Sequence, residues 1–191
     1  IAFINPEKGV DSVEAALAGA RDIIAEMFTE DAQARARIRE LFFENGQYES
    51  RVIEGKETEG AKYKDYFEWE EPLAAAPSHR ILACRRGEAE GILSTRVVPP
   101  PEEAIAILQS RFVKNGSPAA AQVRLAVEDG YKRLLESSLE GEARLEAKRR
   151  ADAEAIRVFA ANLRELLLAP PLGQKRVMGI DPGYRTGCKV V

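Results

Sequence analysis

Apolar residues recur at helical spacing through most of the chain, interrupted by short stretches that read as extended. Val13, Leu17, Ala20, Ile24, Met27 and Phe28 fall three or four residues apart, which predicts a helix from about Ser12 to Phe28 with that stripe buried. Asp11, with Glu14 three residues on, has the form of a capping box at its start. Thr29 or Asp31 caps a second helix on which Ile38, Leu41 and Phe42 share a face, and Asn45-Gly46 stops it. Together the two predict a helical hairpin. Tyr48 to Ile53 then reads as a short extended segment. From Ala61 to Leu73 come Tyr63, Tyr66, Phe67 and the only tryptophan, Trp69. Their neighbours Asp65, Glu68, Glu70 and Glu71 repel a phosphate backbone, so these rings are expected to pack against other helices rather than stack on bases.

The second half is more uniformly helical. Pro77-Ser78 opens an element over His79 to Glu88 with Ile81, Leu82 and the stem of Arg85 facing inward and Arg80 and Arg86 projecting elsewhere, and Ile92 to Val98 reads as a strand. Pro99-Pro-Pro101 with Glu102 and Glu103 is a favourable helix start. Ile105, Leu108 and Phe112 line that helix up to Asn115-Gly116. Ser117-Pro118 begins another, with Val123, Val127, Tyr131, Leu134 and Leu135 on one side. Gly141 is expected to interrupt it. A long run from Glu142 to Leu168 follows, polar all round at first and therefore predicted to cross solvent. Its second half carries an apolar stripe of Ile156, Phe159, Leu163, Leu166 and Leu167. After Pro170-Pro171 and Gly173, the apolar run Val177 to Ile180 ends in Asp181, Pro182-Gly183 turns the chain, and Cys188 to Val191 starts a second run.

Composition narrows the class. With 191 residues, 45% hydrophobic and 31% charged, the chain suits a globular domain, or one domain plus a piece of another. Two cysteines far apart, Cys84 and Cys188, make neither a disulfide framework nor a zinc spacing, so a cytoplasmic setting is expected. No apolar run approaches the ~18 residues of a membrane span. A first residue other than Met and a stop just after a strand opening read as a piece cut from a longer chain. The single histidine, His79, excludes a multi-histidine metal site or a histidine-based triad within the chain. The net charge of −3 does not favour nucleic acid, but its distribution is uneven. Glu44 to Glu71 holds nine acidic residues against four basic, Ser78 to Arg96 four arginines against two glutamates, and the stretch from Pro171 onward four basic residues against one acidic. The run Arg35, Arg37, Arg39 reads as a solvated helix face.

Separated motifs carry a family resemblance. Lys62-Tyr-Lys-Asp-Tyr-Phe67, Pro77-Ser-His-Arg-Ile-Leu-Ala83 and Arg86-Gly-Glu-Ala-Glu-Gly91 resemble the bacterial transcription accessory protein Tex family. Met178-Gly-Ile-Asp-Pro-Gly-Tyr-Arg-Thr-Gly-Cys-Lys189 resembles the start of that family's YqgF domain, a ribonuclease H-like module related to the RuvC resolvases. The resemblance implies a mainly α fold: a multi-helix region with a helix-turn-helix element and short β segments over residues 1–174. Residues 175–191 would then supply the first one or two strands of a truncated α/β ribonuclease H-like domain. It also implies a cytoplasmic scaffold within a nucleic-acid-binding transcription factor whose partners are RNA or DNA, with the transcription machinery as a further partner and no membrane. The family's S1 RNA-binding module would lie outside this chain.

Candidate contacts to phosphate, made without reading sequence, are Arg80, Arg85, Arg86, Lys175, Arg176, Arg185 and Lys189. Arg80 could equally pair with Glu88 or Glu90. Asp181 aligns with the first carboxylate of a ribonuclease H-like site and is the one catalytic candidate. Such a site needs several carboxylates around its metal, so the chain is expected not to be an enzyme, with magnesium entering only if an intact YqgF domain is active. Asp181 is expected instead to cap its turn near Gly183. Two alternatives stand beside the scaffold: part of a metal-dependent nuclease, or a platform that docks protein through Glu44 to Glu71.

Overall fold

The computed structural model describes residues 3–114, 116–183 and 187–191. Residues 1–155 and 156–191 cluster as two compact units. In the first, α1 (Val13–Glu30) and α2 (Ala32–Asn45) form the expected hairpin. Ser12, rather than Asp11, caps α1 by accepting from the Ala15 N–H at 3.0 Å. Asp31 ends α1 and caps α2, its carboxylate accepting from the Ala34 N–H at 2.7 Å. That bond, together with Arg111, holds the Asp31 carboxyl below its ordinary value.

Three antiparallel strands follow, in the order β2 (Glu68–Pro72), β1 (Gln47–Val52), β3 (Leu93–Val98). Ser50 of β1 lies opposite both Trp69 and Thr95. Period-two alternation turns Tyr48, Ser50, Trp69, Leu93, Thr95 and Val97 inward and leaves Glu68, Glu70, Ser94 and Arg96 outside. The aromatic stretch is itself a 3-10 turn over Ala61–Tyr66 followed by an edge strand, and its Trp69 packs, as expected, into a core shared with the helix residues Phe42, Ile81 and Cys84. Trp69 packs with Tyr48 at 5.6 Å between ring centroids and edge-on to Tyr66 at 6.0 Å. Between β2 and β3 lies α3 (Ser78–Ala89), with Ile81 and Cys84 fully buried.

α4 (Pro101–Phe112) and α5 (Pro118–Gly130) come next. A π turn over Tyr131–Leu135 joins α5 to α6 (Glu136–Leu168) without a break, so Gly141 interrupts nothing. α5 packs along α1, closely enough at Gly130 that a Cβ there would lie 2.7 Å from Phe28 Cζ.

Two apolar faces differ from expectation. The buried residues of α1 are Ala25, Phe28 and Thr29, whereas Val13, Leu17 and Met27 stay exposed and Ile24 is half-buried. In α6 the polar-looking first half is the buried half, through Leu139, Ala143, Ala147 and Ala151, while Ile156, Phe159, Leu163, Leu166 and Leu167 are exposed. Alanine buries little area per residue, and spaced four apart among charged residues it does not register as a hydrophobic stripe. In the second unit, β4 (Ile180–Pro182) and β5 (Cys188–Val190) pair as an antiparallel hairpin.

Candidate nucleic-acid interface

α3 brings three candidate arginines onto one helix. Its inner side is fixed by Ile81, Cys84 and Gly87, where an added Cβ would meet Leu93 Cδ1 at 2.6 Å, so helix and strand lie in close contact. This packing sets residues 79 and 86 on the outer side of the helix and residues 80 and 85 at the edges of its packed side. His79 and Arg86 are exposed, and Arg80 and Arg85 are half-buried.

The acids around α3 are largely engaged. Arg80 pairs with Glu71, correcting the expected pairing with Glu88 or Glu90. Glu88 is held instead by Arg144 of α6 at 2.5 Å and accepts from Thr95 Oγ1 at 3.0 Å. Glu90 pairs with Lys62 at 2.7 Å, and that contact holds its carboxyl below the ordinary value. What remains on α3 is the adjacent pair Arg85 and Arg86, whose guanidiniums make no hydrogen bond or ion pair among the described residues. Burial pushes the Cys84 thiol up to about 11, so the residue beside them is a packed, inert sulfur.

The remaining candidates lie in the second unit. Lys175 and Arg176 are exposed on the segment before β4. Lys189 of β5 stands opposite Asp181 of β4. Arg185 lies outside the described residues. The Gly183 N–H donates to the Gly187 carbonyl at 2.8 Å, and residues 184–186, on which the expected Asp181 cap also falls, lie outside the described residues. Among the described residues no three His, Cys, Asp or Glu side chains are grouped to hold a metal. Asp181 is the sole carboxylate between residues 171 and 191, so the residues present do not fit a magnesium ion, which several oxygen ligands must hold.

The helical arginine run is satisfied internally: Arg35 and Arg39 both bind Glu142 at 2.8 Å, and Arg37 binds Glu40. Arg150 donates to the Leu73 carbonyl at 2.6 Å, and the Ser78 hydroxyl to Glu154. These ties of α6 to α2, α3 and the sheet link residues tens of positions apart. No sequence pattern marked them.

Helices around a small antiparallel sheet, with a basic helix on the surface, define the class; comparison places it more closely. Residues 1–159 match the family described as Tex central region-like. The chain belongs to that family. It is similar to "Protein tex" of Bordetella pertussis, 42% identical over 98% of this chain and 26% of the relative. "Transcriptional accessory protein Tex" of Neisseria gonorrhoeae is 40% identical over 95% of this chain and 25% of the relative. The human "S1 RNA-binding domain-containing protein 1" is 26% identical over the whole chain and 20% of its own length. The chain thus spans about a quarter of the length of the bacterial relatives it matches. No helix among the described residues is long and apolar enough to cross a membrane.

Proposed function

We propose that the chain is the helical scaffold of a cytoplasmic Tex-like transcription accessory factor that holds RNA or DNA by its phosphates. In this reading residues 1–174 are the helical region, including a helix-turn-helix element, and residues 175–191 open a YqgF domain. The observation that carries it is the pair Arg85 and Arg86. Glu71, Glu88 and Glu90 are each paired with another cation, so these two guanidiniums are left for an external anion. Lys175, Arg176, Arg185 and Lys189 extend the basic set, and Arg80 adds charge although it is paired. The printed names of two relatives, one a transcriptional accessory protein and one RNA-binding, support the same partner class.

The contacts are to phosphate and independent of sequence, so affinity falls as salt rises. In the full-length protein, Arg85→Ala with Arg86→Ala is expected to weaken binding to labelled RNA, single-stranded DNA and duplex DNA alike. It is also expected to reduce the slope of log affinity against log salt by about 2, near one per lost phosphate contact. An unchanged slope sinks the assignment of these residues.

A second reading rests on the sheet. Burial of Tyr63 and Trp69 leaves Glu49, Glu68 and Glu70 toward solvent or half-exposed, a surface suited to a basic protein partner. Charge reversal at these positions would abolish partner capture without touching nucleic-acid affinity. No cleavage step is assigned to Asp181.

A further inference from the structure

The two edges of the sheet are finished differently. β1 lies in the middle, and its pairing with β2 is bounded by the Val52 N–H donating to the Phe67 carbonyl and the Leu73 N–H to the Gly46 carbonyl. With Ser50 opposite Trp69, these bonds fix the ladder. Residues 67, 69, 71 and 73 turn their backbone groups toward β1, and Glu68, Glu70 and Pro72 turn theirs outward. The same counting from the Ile53 N–H, which donates to the Ile92 carbonyl, turns Leu93, Thr95 and Val97 outward on β3. There α6 reaches the edge: the Val97 N–H donates to the Glu140 carboxylate at 3.3 Å, and Arg144 donates to Thr95 Oγ1 at 3.1 Å. On β2 the outward N–H and carbonyl groups of Glu68 and Glu70 have no partner among the described residues.

An edge left open is a template for another strand, and its chemistry selects which. Between residues 65 and 72 stand four acidic residues and no basic one, and Glu68 and Glu70 are exposed on the outer face. Arg51 meets Glu70 only at 3.6 Å, with both side chains about half exposed. A second copy of β2 laid along the first would set glutamate against glutamate, and like charges directly opposite destabilise a strand pair. The edge is thus guarded against its own kind and matched to the opposite charge. A strand hydrogen-bonded to Glu68 and Glu70 carries every second side chain on their face of the sheet, within reach of a carboxylate. On the reading of this sheet as a protein-docking surface, on which the inference rests, we propose that β2 takes up an extended protein segment with a basic residue at every second position, as a fourth strand.

The test uses the full-length protein and a short capped peptide of alternating lysine and valine that carries a fluorophore. Binding is expected. Methylating every backbone nitrogen of the peptide keeps its charge and removes its donors, and is expected to weaken binding at least about tenfold. Glu68→Gln with Glu70→Gln is expected to weaken the unmethylated peptide by a similar factor. Glu70→Pro removes an outward N–H and no bond to β1, so it is expected to bind more weakly than Glu70→Gln. Equal affinity of methylated and parent peptides, or of Glu70→Pro and Glu70→Gln, overturns strand addition; where the glutamine variants still weaken binding, the docking surface stands without it. If neither peptide binds, or the glutamine variants change nothing, the docking reading falls and strand addition with it. The methylation arm alters nothing in the protein, so it decides even where the proline variant does not fold.

Discussion

Arg144 ties three elements together through one guanidinium. It reaches from α6 to Glu88 of α3 and to Thr95 Oγ1 of β3, at 2.5 and 3.1 Å, with roughly a quarter of its side chain exposed. Removing one partner of a largely buried pair leaves the other charge uncompensated. Arg144→Met is therefore expected to destabilise the fold by about 2–3 kcal/mol, less than a fully buried pair because both groups keep some water. Urea unfolding checks this, and a midpoint unchanged from wild type would refute it. Glu142 gives a second expectation, in pH. Hydrogen bonds from Arg39, then Arg35, hold its carboxyl below 4.5. A folded-state value below the unfolded one means stability that is present above pH about 4.5 and is lost as pH falls through the folded value. Glu142→Gln removes that contribution, so melting temperatures of variant and wild type should differ at pH 7 and converge as pH falls through the folded value. None of these pairings was legible in the sequence. Charge type and local spacing are visible there; which carboxylate meets which guanidinium depends on elements that come together only on folding.

At the scale of elements, legibility followed side-chain size. The helix starts at Ser117-Pro118 and Pro101 and the stop at Gly46 were readable because caps and breakers act locally. Strand β2 was not, because Glu68-Trp-Glu-Glu-Pro72 turns one large side chain inward and its acids outward, an edge-strand composition that hides the alternation. The alanine face of α6 was missed for want of bulk, and the leucine-rich end was overvalued because periodicity reports amphipathicity, not which surface finds a neighbour. Gly130 tests the packing of α1 on α5. Gly130→Ala gains about 1 kcal/mol of helix propensity but drives a methyl to within 2.8 Å of Ala25 Cβ and 2.7 Å of Phe28 Cζ. Overpacking of this kind costs about 1–3 kcal/mol, so net destabilisation is expected by denaturant titration. A more stable variant would mean that Phe28 is free to move aside.

For the whole molecule, the family was legible from motifs spread along the chain, and the mainly α architecture from their spacing. Of the candidate interface, the sequence located α3 and its arginines but could not say that Arg80 is taken by Glu71 while Arg85 and Arg86 are left over. The chain is a quarter of its bacterial relatives' length, so the division of binding between this region and the remainder is itself measurable. If the helical region contributes phosphate contacts, this chain alone should bind labelled RNA with an affinity that falls steeply from about 50 to 200 mM salt. Binding by the full-length protein with none by this chain would assign recognition elsewhere and leave these helices as support.

The joined helices α5 and α6 carry buried residues at Val127, Tyr131, Leu135, Leu139, Ala143, Ala147 and Ala151, each four from the last. An α-helix turns about 100° per residue, so a step of four overshoots a full turn by about 40°. The buried line therefore winds around the rod instead of running straight along it, and the wider π turn at Tyr131–Leu135 slows the winding where α1 gives way to α2 and the sheet as neighbours. The rod works as an indexed spindle: each neighbour is met at its own angle, and the angle is set by counting residues. Conservative replacements along it leave the count intact. Inserting or deleting one residue between 127 and 151 rotates every later contact by about 100° at once, whatever the residue is.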